Sequence, residues 1–311
     1  MMIVKIENLV KRYGNLIALD HLNIEIKEGE VFGLLGPNGS GKTTAINCLL
    51  SLLKFDKGSI EIFSKEMTPT AYDIKNNIGI VMQDVAVFDE LTVYENIDYF
   101  CGLYVTNKKK RKILVEDAIN FVALKDFSSF YPKKLSGGLL RRLNIACGIA
   151  HKPKLIIFDE PTVAVDPQSR NNILEGIRRL NKEGATIIYT SHYMEEIEQL
   201  CSRLAILDKG KVIATGTKEE VKAMISLGEK IVVETFNITK EHLTQIRKIP
   251  NVLDVDLKDD ILTIRQRNGA SNLVNIMSFI SDNAISYGKI YSELPTLNDV
   301  FLEITGKELR D

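Results

Sequence analysis

The sequence predicts an α/β protein built on a parallel sheet and followed by a smaller α+β module. The apolar run Val31–Leu35 ends in glycines and opens a helical pattern over Thr43–Leu53, as a buried parallel strand that feeds a helix does. Two more apolar runs, Leu155–Phe158 and Ala185–Tyr189, each lead to polar residues and then to a helical pattern. Strands that alternate with helices in this way favour a parallel sheet.

The chain begins with short β-rich runs that are separated by turn signals. Ile3–Ile6 and Leu22–Ile26 are such runs, and the polar turn Lys27–Glu30 precedes the first buried strand. We therefore expect strands from the very start of the chain.

Between about Leu91 and Ala150 the periodicity becomes helical. Thr92 is the expected N-cap of the first helix, and Glu95, three residues later, completes a capping box. The basic run Lys108–Lys112 is interpreted as the solvated start of another helix, without a role in binding nucleic acid. We interpret this stretch as a helical subdomain inserted into the α/β core.

After about residue 230 the pattern changes to that of a small α+β module. Its predicted order is strand, helix, strand, strand, helix, strand, which is that of a ferredoxin-like fold. A hairpin is expected to turn at Asp259–Asp260. The predicted elements are Ile231–Phe236, Lys240–Lys248, Val252–Leu257, Ile261–Arg267, Ser271–Ser281 and Ile285–Tyr291.

Composition excludes several classes of function. The 311 residues carry 40 basic and 41 acidic side chains, so the chain lacks the bulk positive charge of a nucleic-acid-binding protein, and only a local basic patch is left open. The four cysteines have no metal-binding spacing and are expected to be reduced, mostly buried thiols. No apolar run approaches the roughly 20 residues of a membrane-spanning helix, and the N-terminus does not have the pattern of a secretory signal.

A glycine-rich loop follows the first buried strand and predicts a phosphate site. The segment from Gly36 to Thr43 has the pattern G-x-x-x-x-G-K-T between a predicted strand and a predicted helix. Glycines let backbone N–H groups turn toward an anion, and the helix N-terminus adds partial positive charge. The side chain of Lys42 is expected to reach the β- and γ-phosphates, and the hydroxyl of Thr43 is expected to ligate Mg²⁺.

Polar residues end three other apolar strands, and an acidic pair stands out among them. Leu155–Phe158 delivers Asp159 to the edge of the sheet where ligands bind, followed at once by Glu160. Downstream of a phosphate-binding loop, this pair predicts a metal-binding aspartate and a general base. Gln83 and His192 also end apolar strands, but alone either residue is more often a surface or capping residue.

The full set of motifs resembles the ATP-binding cassette (ABC) ATPases of transporters. A Leu-Ser-Gly-Gly segment at residues 135–138 opens a helical pattern and separates this family from other nucleotide hydrolases with the same phosphate loop. The resemblance spans about Ile3 to Gly216. It implies a P-loop NTPase core, which has a RecA-like parallel sheet, an N-terminal antiparallel β-subdomain and the helical subdomain at about residues 88–152. The cassette would cover residues 1–220 and the accessory module residues 230–311.

The resemblance also implies a role for each matching residue. Tyr13 would stack on adenine, Glu160 would be the catalytic base, and His192 would contact the γ-phosphate. Thr43, Gln83 and Asp159 would lie at Mg²⁺, with Gln83 and His192 assisting catalysis. Ser136 and Gly138 would bind ATP held by a second copy in a head-to-tail dimer, with Asp166 at that interface. The residues implied to surround the nucleotide phosphates in one copy are Gly36, Asn38, Gly39, Ser40, Gly41, Lys42, Thr43 and Thr44.

The sequence departs from the family pattern at two positions. Leu139 replaces the glutamine that usually follows Leu-Ser-Gly-Gly, and Ala164 stands where glycine is frequent before the interface aspartate. Ser136 and Gly138 are retained, so hydrolysis of ATP is expected to survive.

The end of the chain points to the kind of machine that the ATPase drives. Residues 294–306 resemble the ending of exporter ATPases of the daunorubicin-resistance type, a group that also departs from glutamine after Leu-Ser-Gly-Gly. Leu297, Val300, Phe301 and Ile304 form one apolar stripe, which indicates an amphipathic helix that could dock the module on a cassette.

An exporter would need a separate transmembrane permease, because nothing in this sequence crosses the bilayer. The chain would then lie in the cytoplasm on the inner face of the cell membrane. By analogy with the family, the segment from Val85 to Tyr94 would line a groove for the permease, and simple packing of the helical subdomain is the alternative. A second class of function remains open, namely a soluble regulatory or resistance ATPase that acts on another machine such as the ribosome.

Overall fold

The computed structural model describes residues 1–163, 165–267, 269 and 272–306. The chain divides into two compact units, the first from Met1 to Thr215 and the second from Gly216 onward. Ala164, one of the two departures from the family pattern, and Ser271, the predicted start of a helix, lie outside the described residues.

The first unit alternates strands and helices after an initial pair of long strands. In chain order the elements are β1 (Met2–Tyr13), β2 (Leu16–Lys27), β3 (Val31–Leu35), α1 (Lys42–Leu49), β4 (Lys57–Ile62), β5 (Lys65–Glu66), α2 (Tyr72–Lys75), β6 (Ile78–Val81), α3 (Val93–Gly102), α4 (Lys108–Phe121), α5 (Gly137–Ile149), β7 (Leu155–Asp159), α6 (Pro167–Lys182), β8 (Thr186–Ser191), α7 (Met194–Leu200), β9 (Arg203–Asp208) and β10 (Lys211–Thr217).

A six-stranded sheet forms the centre of this unit. Its strand order is β10-β9-β3-β8-β7-β6, and the five strands β9, β3, β8, β7 and β6 run parallel to one another. Strands β3, β7 and β8 are buried along their whole length, as their continuous apolar sequences predict. The predicted parallel core is therefore confirmed, and the carboxyl ends of its strands meet at one edge.

A second, antiparallel sheet is built from the N-terminal strands. Its order is β2-β1-β4-β5, with Ile6 of β1 opposite Ile24 of β2 on one side and Ile60 of β4 on the other. These three isoleucines belong to the same buried cluster as Phe32 of β3 and Ile46 of α1. The two sheets and α1 therefore share one hydrophobic core.

Helices α3, α4 and α5 form the predicted helical insertion. Thr92 caps α3, and its hydroxyl accepts from the backbone N–H of Glu95 while the Glu95 carboxylate accepts from Thr92, so the capping box is confirmed. Asn107 caps α4, which begins at Lys108 where the basic run begins. Helix α3 packs on both α4 and α5.

The second unit contains a four-stranded antiparallel sheet with two helices against it. Its elements are α8 (Lys218–Lys222), β11 (Leu227–Thr235), α9 (Lys240–Ile246), β12 (Val252–Lys258), β13 (Ile261–Arg267), α10 (Leu273–Asp282), β14 (Tyr287–Glu293) and α11 (Leu297–Thr305). The strand order is β12-β13-β11-β14, and every neighbouring pair is antiparallel. Ile246 of α9 and Ile276 and Ile280 of α10 are fully buried against Ile231 and Ile264 of the sheet. The predicted strand and helix order of a ferredoxin-like module is confirmed.

The last helix carries the apolar stripe of the sequence. Leu297, Val300 and Phe301 are buried, Ile304 is 39% exposed, and α11 packs on α8 within the same unit. Three of the four residues of the stripe are therefore buried.

Helix α1 is shorter than the sequence predicts. It ends at Leu49 rather than at Leu53, because Leu50 leaves the helical conformation and Ser51 has a left-handed φ of 54°.

The four cysteines at positions 48, 101, 147 and 201 are all buried, as expected for reduced thiols. Within the described part of the chain, no helix is both long and apolar enough to cross a membrane.

Candidate active site

The loop between β3 and α1 is a backbone cradle. Gly41 is the N-cap of α1 and has a left-handed φ of 110°, which favours glycine. A Cβ on Gly36 would lie 2.4 Å from the carbonyl oxygen of Leu207, so the loop passes too close to the neighbouring backbone for any side chain. The N-terminus of α1 thus faces the space above this edge of the sheet, where an anion is stabilised.

The ammonium group of Lys42 lies directly beneath this loop. Its Nζ donates to the carbonyl oxygen of Gly36 at 2.8 Å and lies 3.1 Å from Oε1 of Glu160. The Lys42 side chain is only 5% exposed, and its charge is compensated by the buried Glu160 carboxylate, with the buried Asp159 close enough to interact with it as well. A phosphate that bound in the loop would meet a positive charge that is already oriented.

Asp159 ends β7 and is held by two hydroxyl groups. Thr43 Oγ1 lies 3.2 Å from Asp159 Oδ2, and Thr190 Oγ1 donates to Asp159 Oδ1 at 2.6 Å. Burial raises the pKa of the Asp159 carboxyl, and the hydrogen bonds from Thr190 and Thr43 act in the opposite direction. A hydroxyl and a carboxylate at this separation are oxygen donors of the kind that hard cations such as Mg²⁺ prefer.

The residue after Asp159 has a strained backbone. Glu160 has a left-handed φ of 47°, and its N–H donates to Thr190 Oγ1 at 2.9 Å. For a residue with a Cβ this conformation costs about 1–3 kcal/mol and persists only where neighbours enforce it. The strain turns the Glu160 side chain toward Lys42 and toward His192, whose Nδ1 lies 3.3 Å from Glu160 Oε2.

The histidine contact is one of proximity rather than of a well-formed hydrogen bond. His192 Nδ1 has no partner with hydrogen-bond geometry, although the ring is almost buried and Glu160 is its nearest carboxylate. The Glu160 carboxylate therefore lies between an ammonium group and an imidazole ring.

A cleft of about 490 Å³ opens above these groups. It brings together residues of the phosphate loop, Gln83 after β6, Glu160 after β7 and Tyr13 at the end of β1. Tyr13 is 49% exposed, and Nζ of Lys11 lies over its ring, 5.0 Å from the ring centre. The lining residues are Tyr13, Leu16, Ile17, Ala18, Asn38, Gly39, Gly41, Lys42, Thr43, Thr44, Gln83, Glu160, Lys209 and Gly210. Among the described residues, no three His, Cys, Asp or Glu side chains are grouped to hold a metal ion on their own.

Three of the sequence-predicted residues lie together outside the cleft. Ser136 caps α5 by accepting from the N–H of Leu139 at 3.4 Å, and Asp166 caps α6 by accepting from the N–H of Ser169 at 2.9 Å. A Cβ on Gly138 would lie 2.7 Å from Ser169 Oγ and 3.6 Å from Asp166 Oδ2, so the two helix N-termini are adjacent. The hydrogen bonds from Ser169 hold the pKa of the exposed Asp166 carboxyl below its usual range. Within one chain these residues do not join the phosphate cradle.

Sequence reasoning missed two kinds of residue. Thr190 bonds both Asp159 and Glu160, and a hydroxyl that ends a buried strand next to an acidic one is its sequence signal. Arg141 and Asn144 of α5 both donate to the carbonyl oxygen of Met82, which precedes Gln83. No pattern in the sequence predicts these two hydrogen bonds.

Comparisons with known proteins agree with this fold and give the family. Residues 19–163 match the family described as ABC transporter, and residues 216–305 match the C-terminal domain of ATP-binding proteins like DrrA1-3. The linearmycin resistance ATP-binding protein LnrL of Bacillus subtilis (strain 168) is 37% identical over 98% of this chain and 99% of its own length. The daunorubicin resistance ATP-binding protein DrrA3 of Streptomyces coeruleorubidus is 30% identical over 99% of this chain and 97% of its own.

A solved structure carries the same fold together with bound reaction products. The dimeric ATP-binding cassette MJ0796 with ADP and phosphate has a TM-score of 0.63 and 27% identity, over 69% of this chain and 98% of that one. Fold, site and relatives together define an ABC-type ATP hydrolase. The chain belongs to the ATP-binding proteins of the ABC transporter family, and its C-terminal unit is of the kind found in the daunorubicin-resistance type.

Proposed function

We propose that this chain is the ATP-binding subunit of an exporter and that two copies close head to tail around MgATP. The observation that carries this proposal is the separation of the site into two parts within one chain. The cleft holds Lys42 and Glu160, whereas Ser136, Gly138 and Asp166 lie outside it. A second copy would supply the missing part, and the related cassette MJ0796 is a dimer after hydrolysis.

The contacts in the cleft support a role for each residue. The phosphate loop and Lys42 would bind the β- and γ-phosphates, and Tyr13 would stack on the base. Glu160 would accept the proton of the attacking water, and His192, beside Glu160, would contact the γ-phosphate.

Thr43 and Asp159, with Gln83 on the same cleft wall, would hold Mg²⁺. Mg²⁺ keeps several waters and takes few protein ligands, so a hydroxyl, a carboxylate and an amide suit it. When bound, the ion would neutralise charge that develops on the phosphates.

In the proposed dimer, Ser136 and Gly138 of each copy would contact the γ-phosphate of the ATP that is bound in the cleft of the other copy. The N-terminus of α5 adds partial positive charge there, and no acidic residue lies in its first turn. Asp166, exposed at the start of α6, would face the same interface.

An exposed aromatic surface supports a permease partner. Phe88 is 42% exposed and contacts Tyr99 edge-on and Phe100 face to face. The loop that carries Phe88 is held in shape by the buried Asn96, which bonds the N–H and the carbonyl of Phe88. A rigid aromatic surface next to Gln83 in the chain is suited to receive a helix from a membrane subunit and to report on the nucleotide. The chain would thereby lie on the inner face of the membrane.

The dimer is tested with Glu160→Gln protein, because loss of the base should trap ATP between the two copies. Size-exclusion chromatography with light scattering is expected to show a dimer only with Mg-ATP, and Ser136→Arg added to Glu160→Gln should abolish it. A monomer that still binds ATP would contradict the composite site.

The permease is tested by purification from detergent-solubilised membranes. A multi-spanning membrane protein is expected to accompany the wild-type chain, and Phe88→Glu should lose it while keeping ATP hydrolysis. Tyr72→Glu, at another exposed aromatic residue, is the matched control and should retain the partner. Recovery of ribosomes instead would favour the soluble regulatory alternative.

A further inference from the structure

The carboxylate of Glu196 on α7 is a buried acceptor beneath the active site. It is 3% exposed and does not line the cleft. One of its oxygens, Oε2, accepts from Tyr189 OH at 2.8 Å, Ser191 Oγ at 2.8 Å and Thr162 Oγ1 at 2.9 Å. Three hydroxyl groups therefore donate to one oxygen of a single buried carboxylate.

Two of the three donors flank the residues that would perform hydrolysis. Thr162 lies two positions after Glu160, and Ser191 lies immediately before His192. Glu160 Oε2 and His192 Nδ1 are 3.3 Å apart, yet no hydrogen bond of good geometry joins them. The backbone segments next to Glu160 and His192 must therefore set the relative position of the two side chains. Glu196 accepts hydrogen bonds from a side chain on each of these segments, Thr162 after Glu160 and Ser191 before His192.

The same carboxylate reaches toward the segment that carries Asp166. Glu196 Oε1 lies 3.5 Å from Nε of Arg170, in the first turn of α6, as an ion pair without a hydrogen bond, and the guanidinium carbon lies 4.8 Å from the centre of the Tyr193 ring. The N–H of Arg170 donates to the carbonyl oxygen of Asp166, the N-cap of α6. One buried acid thus connects the strand end before His192, the loop after Glu160 and the helix that begins at Asp166.

Such an arrangement is costly for stability alone. A buried carboxylate needs several donors to offset the loss of hydration, and an apolar residue of similar size would fill the space at no such cost. Three hydrogen bonds to one carboxylate oxygen do, however, fix the geometry of the segments that carry the three donors.

We propose that Glu196 is a positioning residue for ATP hydrolysis. Acting through Thr162 and Ser191, it fixes the Glu160 carboxylate and the His192 ring in the geometry that the reaction needs. Through Arg170 it ties this geometry to the helix that begins at Asp166. Glu196 touches neither nucleotide nor water, so its loss should lower turnover without weakening ATP binding.

The test removes one donor at a time and leaves the cleft intact. Thr162→Val and Ser191→Ala are expected to lower kcat for ATP about tenfold or more while KM stays within about twofold, because small misplacements of catalytic groups are expensive. Glu196→Gln should lower kcat similarly, since a neutral amide is a weaker acceptor and loses the charge contact with Arg170. Thr162→Ser keeps the hydroxyl and should restore the wild-type kcat.

A matched control separates positioning from loss of stability. Thr186 begins β8, whose other end carries Ser191, and it is fully buried with Oγ1 accepting from the N–H of Gly29 at 2.9 Å. Thr186→Val removes a comparable buried hydrogen bond and should leave kcat unchanged.

The proposal is overturned if Thr162→Val and Ser191→Ala retain the kcat of Thr186→Val, or if KM rises in step with any fall in kcat. Should Glu196→Gln fail to fold, the contrast of Thr162→Val with Thr162→Ser decides alone.

Discussion

Nζ of Lys42 lies 3.1 Å from Oε1 of Glu160, and both side chains are less than a tenth exposed. The contact joins the residue proposed to hold phosphates to the residue proposed to activate water. Phosphate oxygens are anionic and would compete with Glu160 for the same ammonium group. Binding of ATP would therefore release the Glu160 carboxylate for its role as a base.

The first prediction concerns this pair. Glu160→Gln removes the base, so kcat for ATP hydrolysis should fall by about 10²–10⁴-fold. The affinity for Mg-ATP should be unchanged or higher, because a neutral amide competes less with phosphate for Lys42. Steady-state hydrolysis and isothermal titration with Mg-ATP measure the two quantities. Glu175→Gln, at an exposed position of α6, is the control and should behave as wild type. A near-normal kcat for Glu160→Gln would exclude Glu160 as the base.

The second prediction concerns the close backbone approach at Gly36. Its Cβ would lie 2.4 Å from a carbonyl oxygen, which cannot yield as a flexible side chain can, so Gly36→Ala should displace the loop. We expect loss of at least tenfold in ATP affinity, measured by titration.

The control for that change is Gly176→Ala in α6, whose Cβ would meet only the Phe121 ring at an ordinary 3.5 Å. It should leave affinity unchanged and raise the free energy of unfolding slightly, because alanine favours helix over glycine by about 1 kcal/mol. Equal affinities in the two variants would contradict the steric argument.

The parallel core and the members of the cleft follow from the sequence for one reason. Buried parallel strands are continuous apolar runs, and their carboxyl ends share an edge, so residues that end such runs come together. Gln83 and Glu160 follow such runs, Lys42 belongs to the glycine-rich pattern after another, and the structure places all three on one cleft.

Thr190 and Glu196 could not be found in this way. Thr190 can bond Asp159 because β7 and β8 pair in a register that places these two residues opposite each other. The register between strands that are distant in the sequence is a property of the tertiary structure. Glu196 sits in the acidic first turn of α7, where two adjacent glutamates look like ordinary solvated residues. Only packing decides that Glu196 is buried while Glu195 is exposed.

The third prediction concerns the loop that follows Gln83. Asn96 is fully buried, and its amide donates to the carbonyl oxygens of Phe88, Leu91 and Thr92 while its Oδ1 accepts from the N–H of Phe88. Asn96→Ala removes all four of these hydrogen bonds, including that to the N–H of Phe88, and should lower the free energy of unfolding by about 2–4 kcal/mol. Hydrogen exchange at the Phe88 amide should accelerate at the same time.

Asn120→Ala provides the comparison, since Asn120 is an exposed residue near the end of α4. It should change neither stability nor exchange at Phe88. Slow exchange at Phe88 in Asn96→Ala protein would show that the loop is held by other contacts.

The fourth prediction concerns the buried imidazole of His151, whose ring stacks on Tyr104 with centres 3.8 Å apart. Burial lowers the pKa of His151 from 6.5 to about 4, although a contact of Nε2 with the carbonyl oxygen of Ile78 opposes the shift. The unfolded chain therefore binds this proton more readily than the folded one. The stability that results is complete above pH 6.5 and is lost as the pH falls toward 4.

Between pH 7 and pH 5 this single group should reduce the free energy of unfolding by about 2 kcal/mol. His151→Phe keeps an aromatic ring against Tyr104 but cannot bind a proton. Between pH 7 and pH 5 the variant should therefore lose about 2 kcal/mol less unfolding free energy than the wild-type protein does. Urea unfolding followed by circular dichroism at both pH values measures the difference. If wild-type and His151→Phe proteins lose equal stability on acidification, His151 does not titrate with a lowered pKa, and the acid sensitivity of the first unit must come from its carboxylates.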